Sequence, residues 1–506
     1  PRLPSNSSPV LVLVLLPLLA LTGVLVARRA PGRLRHAPRL PVVVAVVLAV
    51  LLGAKLTIAA GLLKVPGFDS GIVLLAAYHR VFPEAVTPPY DPALFASYFG
   101  MYPNNLALGS LFTALFSVAH LLGIDGLRTY VFLAVAMNCV ALTVVELLTF
   151  LVARRLWSTR TAFLALAATA VYTTLSPWLN TPYSDTLGML FPIGLLLVGL
   201  HLRAARGPRA RLALAAAFGG VAALGIALKP TVLFAVIALV LVEAVRSRRA
   251  LRRRSVLVAA AAVAGVGLLA GVGTSAAVTA ATDASGLVRF DVAGWKGGAP
   301  ITHFMKMGAQ GTGGFDYADV QSTFAVPQPQ RANAALQVYE DRVAAMGPEG
   351  YAVFLGQKAL RTFADGSFYW GQEGENYPDW FWTGAYSTTV RQWYARDGSD
   401  HLYLASLWQA GWLLLLAGAA LPVARFASPT RRRAIDGARL ALLALLCFQL
   451  LFETRSRYVY LYLPFVVVLA VGAWSALPAA IADLRSRRLP RLAVPQRAGT
   501  RRAPLR

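Results

Sequence analysis

Between Val42 and Leu63 the chain reads VVVAVVLAVLLGAKLTIAAGLL, 22 residues with a single charge. A helix needs about 20 mostly apolar residues to cross a bilayer. Runs of this kind recur, and their recurrence constrains the fold more than any other feature. They are Pro9–Ala27, Pro41–Leu63, Thr129–Ala153, Thr161–Leu179, Thr186–Leu202, Leu212–Leu228, Thr231–Val245, Val256–Thr279, His401–Phe426, Ala434–Phe452 and Tyr458–Ile481. Pro9–Ala27 lacks a small-residue cleavage signature and is expected to be a membrane helix, not a leader. Only 14% of residues are charged, against about 25% in soluble domains, and mean hydropathy is +0.58. The expected fold class is an all-α polytopic membrane protein with about eleven transmembrane helices, outer interfacial helices and a large outer loop.

The net charge of +25 comes from 48 Lys+Arg against 23 Asp+Glu. Such a balance can signal nucleic-acid binding. Here the arginines fall in short clusters between apolar runs, the pattern of cytoplasmic loops, so no nucleic-acid partner is expected. The clusters are Arg28–Arg39, Arg154–Arg160, Arg203–Arg211, Arg246–Arg254, Ser428–Arg433 and the tail from Arg485. If all are cytoplasmic, the eleven helices alternate without conflict, with the N-terminus outside and the C-terminus inside. Leu106–Leu122 breaks that count if it spans. It is therefore expected to be a re-entrant or interfacial helix, tolerated where protein or a water-filled cavity covers it.

Domain organisation follows. Residues 1–40 hold the first helix and a basic loop. Residues 41–279 form a transmembrane core whose first outer loop is 64–128. Residues 280–400 form an extracytoplasmic, partly helical segment without a large core of its own. Residues 401–484 return to the membrane, and 485–506 form a basic cytoplasmic tail. Cys139 and Cys447 each lie in an apolar run and read as packing residues. No cluster has convincing metal-ligand spacing, and no P-loop, dinucleotide fingerprint or nucleophile elbow is present.

Charged residues at membrane level mark functional sites by default. Asp69, in KVPGFDSG, is either the cap of a following amphipathic helix or a general base at a partly desolvated boundary. Tyr98 and Tyr102 suit an interfacial aromatic belt, and Asn104 belongs to a turn that either anchors the chain or binds a ligand. Asp185 is either an N-cap of the helix from Thr186 or part of the Asp69 site. Lys229 either snorkels to headgroups or binds a lipid phosphate. Arg455 and Arg457 oppose the positive-inside trend, and an anionic partner such as a phosphate explains them best. Glu453 is either their ion-pair partner or a ligand contact. His303 and Lys306, in a Gly-rich stretch Pro300–Val320, are further candidates, although a lone histidine is more often structural. The aromatic and acidic stretch Phe368–Trp382 suits sugar rings or membrane docking.

In order and sidedness, GFDSG, YFGMYPNNLALGSLF, ARRLWSTR, YSD, LKPTVL, THFMKMG and FETRSRYVYLYLPF resemble the GT-C superfamily of integral-membrane glycosyltransferases. The nearest likeness is to the protein O-mannosyltransferase and aminoarabinose transferase group and to actinobacterial and firmicute members. The resemblance covers Pro41 to about Ile481. It implies a polyprenyl-phosphate sugar donor used at the outer face of the cytoplasmic membrane, among membrane lipids. The acceptor would be a cell-envelope glycan, lipid or protein. It further implies Asp69 as general base, with Lys229, Arg455 and Arg457 holding the phosphate as it leaves. Many relatives carry a second acid directly after the first, whereas Ser70 and Gly71 follow here, so a divalent metal is allowed but not required. The competing expectation is a transporter or flippase of lipid-linked sugars, motivated by Lys55 and Glu146 inside apolar runs.

Overall fold

The computed structural model describes residues 7–29, 39–85, 91–288, 297–370, 383–422 and 429–488. Among them the regular elements are helices, with no β-strand. Eight helices are long and apolar enough to cross a membrane: Leu40–Gly61, Leu127–Leu156, Ser184–Ala204, Pro208–Leu228, Pro230–Ser247, Arg254–Ser285, His401–Ala420 and Arg431–Leu451. Pro9–Gly23 and Leu463–Pro478 are shorter apolar helices, and Thr159–Thr173 has 15 residues. The chain is thus a polytopic all-α protein. The arginine cluster at 30–38 and the tail beyond 488 lie outside the described residues.

Local chemistry sets many of the boundaries. Proline opens the helices at Pro92 and Pro208, where its missing N–H costs nothing. Asp91 and Ser158 cap theirs, accepting from Leu94 N at 2.7 Å and Thr161 N at 3.2 Å. Gly286, at φ 57°, closes the Arg254–Ser285 helix in the left-handed conformation. Three expected spans start or stop elsewhere than anticipated because proline or a tight turn interrupts them. The run from Thr161 stops at Thr173, and Pro177–Asn180 forms a separate 3-10 turn. The run from His401 ends at Ala420, two residues before Pro422. The last run splits into one turn at Arg457–Tyr460 and a helix from Leu463.

Ion pairs define the two ends of the bundle. At one end Glu243 accepts from Arg203 Nε and Arg433 Nη1, each at 2.7 Å, joining three helices. The same helices run from there to the other end, which carries Asp185, Lys229 and Glu453. An 18- to 23-residue helix spans about 30 Å, so the two charge groups sit a membrane's thickness apart.

The helix Leu106–Leu121 is too short to join the eight spans. It lies against Phe68–Val81 and the end of Arg254–Ser285, where Ser110 Oγ meets Ser285 Oγ at 3.1 Å. The long segment after residue 296 is mostly helical: Ile301–Gly308, Tyr317–Ala325, Gln328–Phe363 and Ala385–Tyr394. The longest of these breaks at Gly347, φ 65°, just before Pro348. Its end enters the bundle, where Phe368 packs on Tyr172, Trp412 and Tyr460 with ring centroids 4.8–5.8 Å apart. Each of these four rings is at most 2% exposed. The segment therefore shares the bundle's core. Residues 371–382, most of the expected aromatic and acidic stretch, lie outside the described residues.

Candidate functional site

GFDSG folds as a strained entry into the Phe68–Val81 helix. Phe68 sits at φ 50°, a conformation costly for a side chain with a Cβ. Gly71 is dictated by space, since a Cβ there would lie 2.2 Å from the Pro66 carbonyl oxygen. The N-cap is Gly67, with no side-chain cap, so Asp69 does not cap this helix. It lies in the first turn, and its Oδ2 accepts from Arg457 Nη2 at 3.2 Å, across 388 residues of chain. Ser70 Oγ donates to Pro182 O at 3.2 Å and fastens this turn to the turn bearing Asp185.

Asp185 does not cap its helix either. Tyr183 and Thr186 form the cap, and Asp185 falls inside the turn Ser184–Leu187. Its side chain is fully buried, with Lys229 Nζ at 2.7 Å from Oδ1 and Arg457 Nε at 3.6 Å from Oδ2. The result is a chain of alternating charge: Asp69, Arg457, Asp185, Lys229. Its polar groups come from four distant segments. The Tyr458 ring lies beneath both cations, 4.8 Å from Lys229 Nζ and 5.4 Å from the Arg457 guanidinium. Only Asp69 is substantially open, with a third of its side chain exposed against 8% for Arg457. The arrangement presents one accessible carboxylate backed by two sheltered cations.

Glu453 and Arg455 flank this line and pair with each other at 3.2 Å. Arg455 also lies over the Phe315 ring. Tyr102 faces this flank: burial first, then Asp69 and Glu453, raise its phenol well above its usual range. Tyr98 is raised by burial and then by Asp69, with which its hydroxyl also interacts. Both phenols therefore stay protonated and remain hydrogen-bond donors. Asn105 ties the group together, donating to Tyr98 Oη at 2.7 Å and accepting from Tyr183 Oη at 3.3 Å. The acids of the site each face a cation, so as they stand they do not make a divalent-metal site. Among the described residues no three His, Cys, Asp or Glu side chains gather as metal ligands.

A family model described as a conserved hypothetical integral membrane protein matches residues 6–477, nearly the whole chain. The chain belongs to this family. A search of curated proteins gives no match. The matched range of this integral membrane family includes every residue of the charge chain.

Three of the expected site residues make contacts other than those of the charge chain. Asn104 is exposed and points its amide at Asn105, and it is Asn105 that is buried in the tyrosine network. Lys306 belongs to a clasp in the long segment, 3.7 Å from Asp319, which Arg342 holds in a two-pronged pair at 2.8 and 2.9 Å. His303 is fully buried, with Nδ1 2.8 Å from Thr323 Oγ1. Both make these contacts within the long segment, and Phe304, next to His303, accepts from Glu453 N at 2.7 Å.

Burial, aided by Lys306, pushes the His303 imidazole down to about 4 from 6.5. Above 6.5 it is neutral folded or unfolded. Between 6.5 and 4 only the unfolded chain takes the proton, so stability falls as pH drops through that window and levels below it. The loss approaches about 3 kcal/mol. Acid unfolding of the wild type and His303→Gln, followed by proteolysis of the 297–370 segment, checks this; equal pH dependence would refute it.

Proposed function

We propose that the protein is a GT-C-type glycosyltransferase of the cytoplasmic membrane, with the Asp69 end facing outward. It moves a sugar from a polyprenyl-phosphate donor to a cell-envelope acceptor. The observation that carries this reading is the Asp69–Arg457–Asp185–Lys229 chain, in which an open carboxylate pairs with Arg457, and Arg457 and Lys229 share the buried Asp185 behind it. The likeness of GFDSG, YSD and FETRSR to the GT-C pattern supports it, and the arginine clusters, read as cytoplasmic, support the outward orientation.

On this reading Asp69 takes the proton of an acceptor hydroxyl as its oxygen attacks the anomeric carbon. The bond from that carbon to the phosphate oxygen breaks, and the phosphate leaves with the electron pair. Arg457, Lys229 and Arg455 neutralise the charge that develops there. Tyr98 and Tyr102, held protonated, donate hydrogen bonds at the mouth of the site. The pairs with Asp69 and Asp185 keep the cations ordered until a phosphate competes for them.

The transport reading rested on Lys55 and Glu146. Both are fully buried, and Glu146 accepts from Lys55, Thr173 and Thr174. A sealed, satisfied pair offers no carrier site, which favours the enzyme.

Purified protein is expected to release polyprenyl phosphate from a labelled polyprenyl-phosphate mannose or arabinose when envelope extract supplies the acceptor. No release from either donor counts against the assignment. Arg457→Gln should weaken donor binding about 10- to 100-fold, and Arg457→Lys should not restore it, because an ammonium lacks the planar fork by which Nη2 faces Asp69 and Nε faces Asp185. Wild-type donor affinity in Arg457→Gln would exclude the phosphate role.

A further inference from the structure

Asp365 is a fully buried carboxylate that the proposed chemistry does not use. It sits in the turn DGSFY, where Phe368 and Tyr369 both have positive φ, 53° and 67°. Two consecutive residues in that region are strained and persist only where their surroundings over-determine them. Asp365 supplies much of that determination. Oδ1 accepts from Ser367 N at 2.9 Å and Ser367 Oγ at 2.7 Å, and Oδ2 accepts from Tyr369 N at 2.7 Å. The turn is fixed to the bundle by Trp178 Nε1 on Ser367 O and by Gly366 N on Gln409 Oε1. A Cβ at Gly366 would lie 2.6 Å from the Trp408 carbonyl oxygen, so the backbones meet here directly.

The fourth donor to Asp365 is Ser456 Oγ, at 2.9 Å on Oδ2. Ser456 is buried and stands between Arg455 and Arg457. The near half of its turn has other anchors: Glu453 N donates to Phe304 O at 2.7 Å and Thr454 N to Gly313 O at 2.8 Å. Lys358 Nζ also holds the carbonyls of Leu450 and Phe452. At the far half, where Arg457 starts its short helix, the Asp365–Ser456 bond joins the strained turn to the residue next to Arg457, while Phe368 of the same turn packs on Tyr460 at the helix's other end.

We infer that Asp365 is a positioning residue that acts through Ser456 to set where Arg457 presents its guanidinium to an anionic headgroup. The inference rests on the proposed phosphate-binding role of Arg457. The strained turn serves as a fixed reference, and Ser456 carries its position to the arginines. A guanidinium displaced by about 1 Å loses much of its value to a phosphate.

Asp365→Ala strips three buried donors of the strained turn and risks misfolding. Ser456→Ala is cleaner, because it removes one hydroxyl and leaves the other three bonds to Asp365 in place. Two measurements on the full chain in detergent test the inference. Hydrogen exchange at amides 453–460 should quicken in Ser456→Ala, with the rest of the bundle unchanged. Binding of a long-chain polyprenyl monophosphate should weaken about tenfold, with the thermal midpoint near wild type. Wild-type exchange and wild-type binding in Ser456→Ala would overturn the inference while leaving the functional reading intact. A wild-type protein that does not bind polyprenyl monophosphate would overturn the functional reading, and this inference with it.

Discussion

Asp69→Asn should lower sugar transfer by about 10²- to 10⁴-fold, the usual contribution of a positioned general base. The substitution is nearly isosteric and sits where a third of the side chain is already open, so folding should survive. Since Gly67 caps the helix, no cap is lost. The amide cannot take a proton from an acceptor hydroxyl, and it also removes the charge opposite Arg457. Donor binding should therefore be retained or even tightened while turnover collapses. That split between binding and rate separates a base from a mere structural partner. Asp69→Glu, which keeps the proton acceptor but shifts it outward, should recover part of the rate. Wild-type transfer by Asp69→Asn would remove Asp69 from the chemistry.

Breaking the intramembrane pair should have the largest effect on stability. Lys55 Nζ lies 2.7 and 2.8 Å from the two Glu146 oxygens and 3.2 Å from Thr143 Oγ1. Thr173 and Thr174 donate to the same carboxylate at 2.6 and 2.9 Å. Lys55→Met leaves an uncompensated buried carboxylate, and such a loss costs about 3–5 kcal/mol. The double variant, Lys55→Met with Glu146→Gln, removes both charges and keeps an acceptor for the threonines. It should regain most of that stability, because a neutral, filled site avoids the desolvation cost of two ions. Thermal inactivation in detergent of both singles and the double reads this directly. A double variant as weak as the singles would show that the pair acts through something other than charge. Sugar transfer by the stable double variant should stay near wild type, as the pair belongs to the frame.

Much of the frame was legible in the sequence. A bilayer demands long apolar helices, and among the described residues eight of the eleven expected runs hold one long enough to span. The arginine clusters between the runs mark one end. The charge chain was legible only as a shared membrane level for Asp69, Asp185, Lys229 and Arg457. Which of them touch is set by pairs as far as 388 residues apart, beyond any local pattern. Local pattern also misled in specific places. An Asp before a helix reads as a cap, yet the backbone at Asp69 and Asp185 starts each helix one or more residues earlier and turns the carboxylates toward cations. Asn104 and Asn105 are indistinguishable by type, and only the packing of Tyr98 and Tyr183 decides which is buried. Asp365 in DGS looks like an exposed turn, because the donors that satisfy it lie partly at Ser456, 91 residues on. In THFMKMG a lone histidine is more often structural, and His303 and Lys306 contact Thr323, Ser322 and Asp319 of their own segment.

The central claim is that the open carboxylate and the sheltered cations act on one lipid-linked sugar. A structure of the protein with a polyprenyl-phosphate sugar bound tests it most directly. The account predicts the phosphate against Arg457 and Lys229, with Asp69 released from Arg457 and facing the anomeric carbon across room for an acceptor hydroxyl. A donor phosphate bound away from these cations, with the Asp69–Arg457 pair still closed, would contradict it.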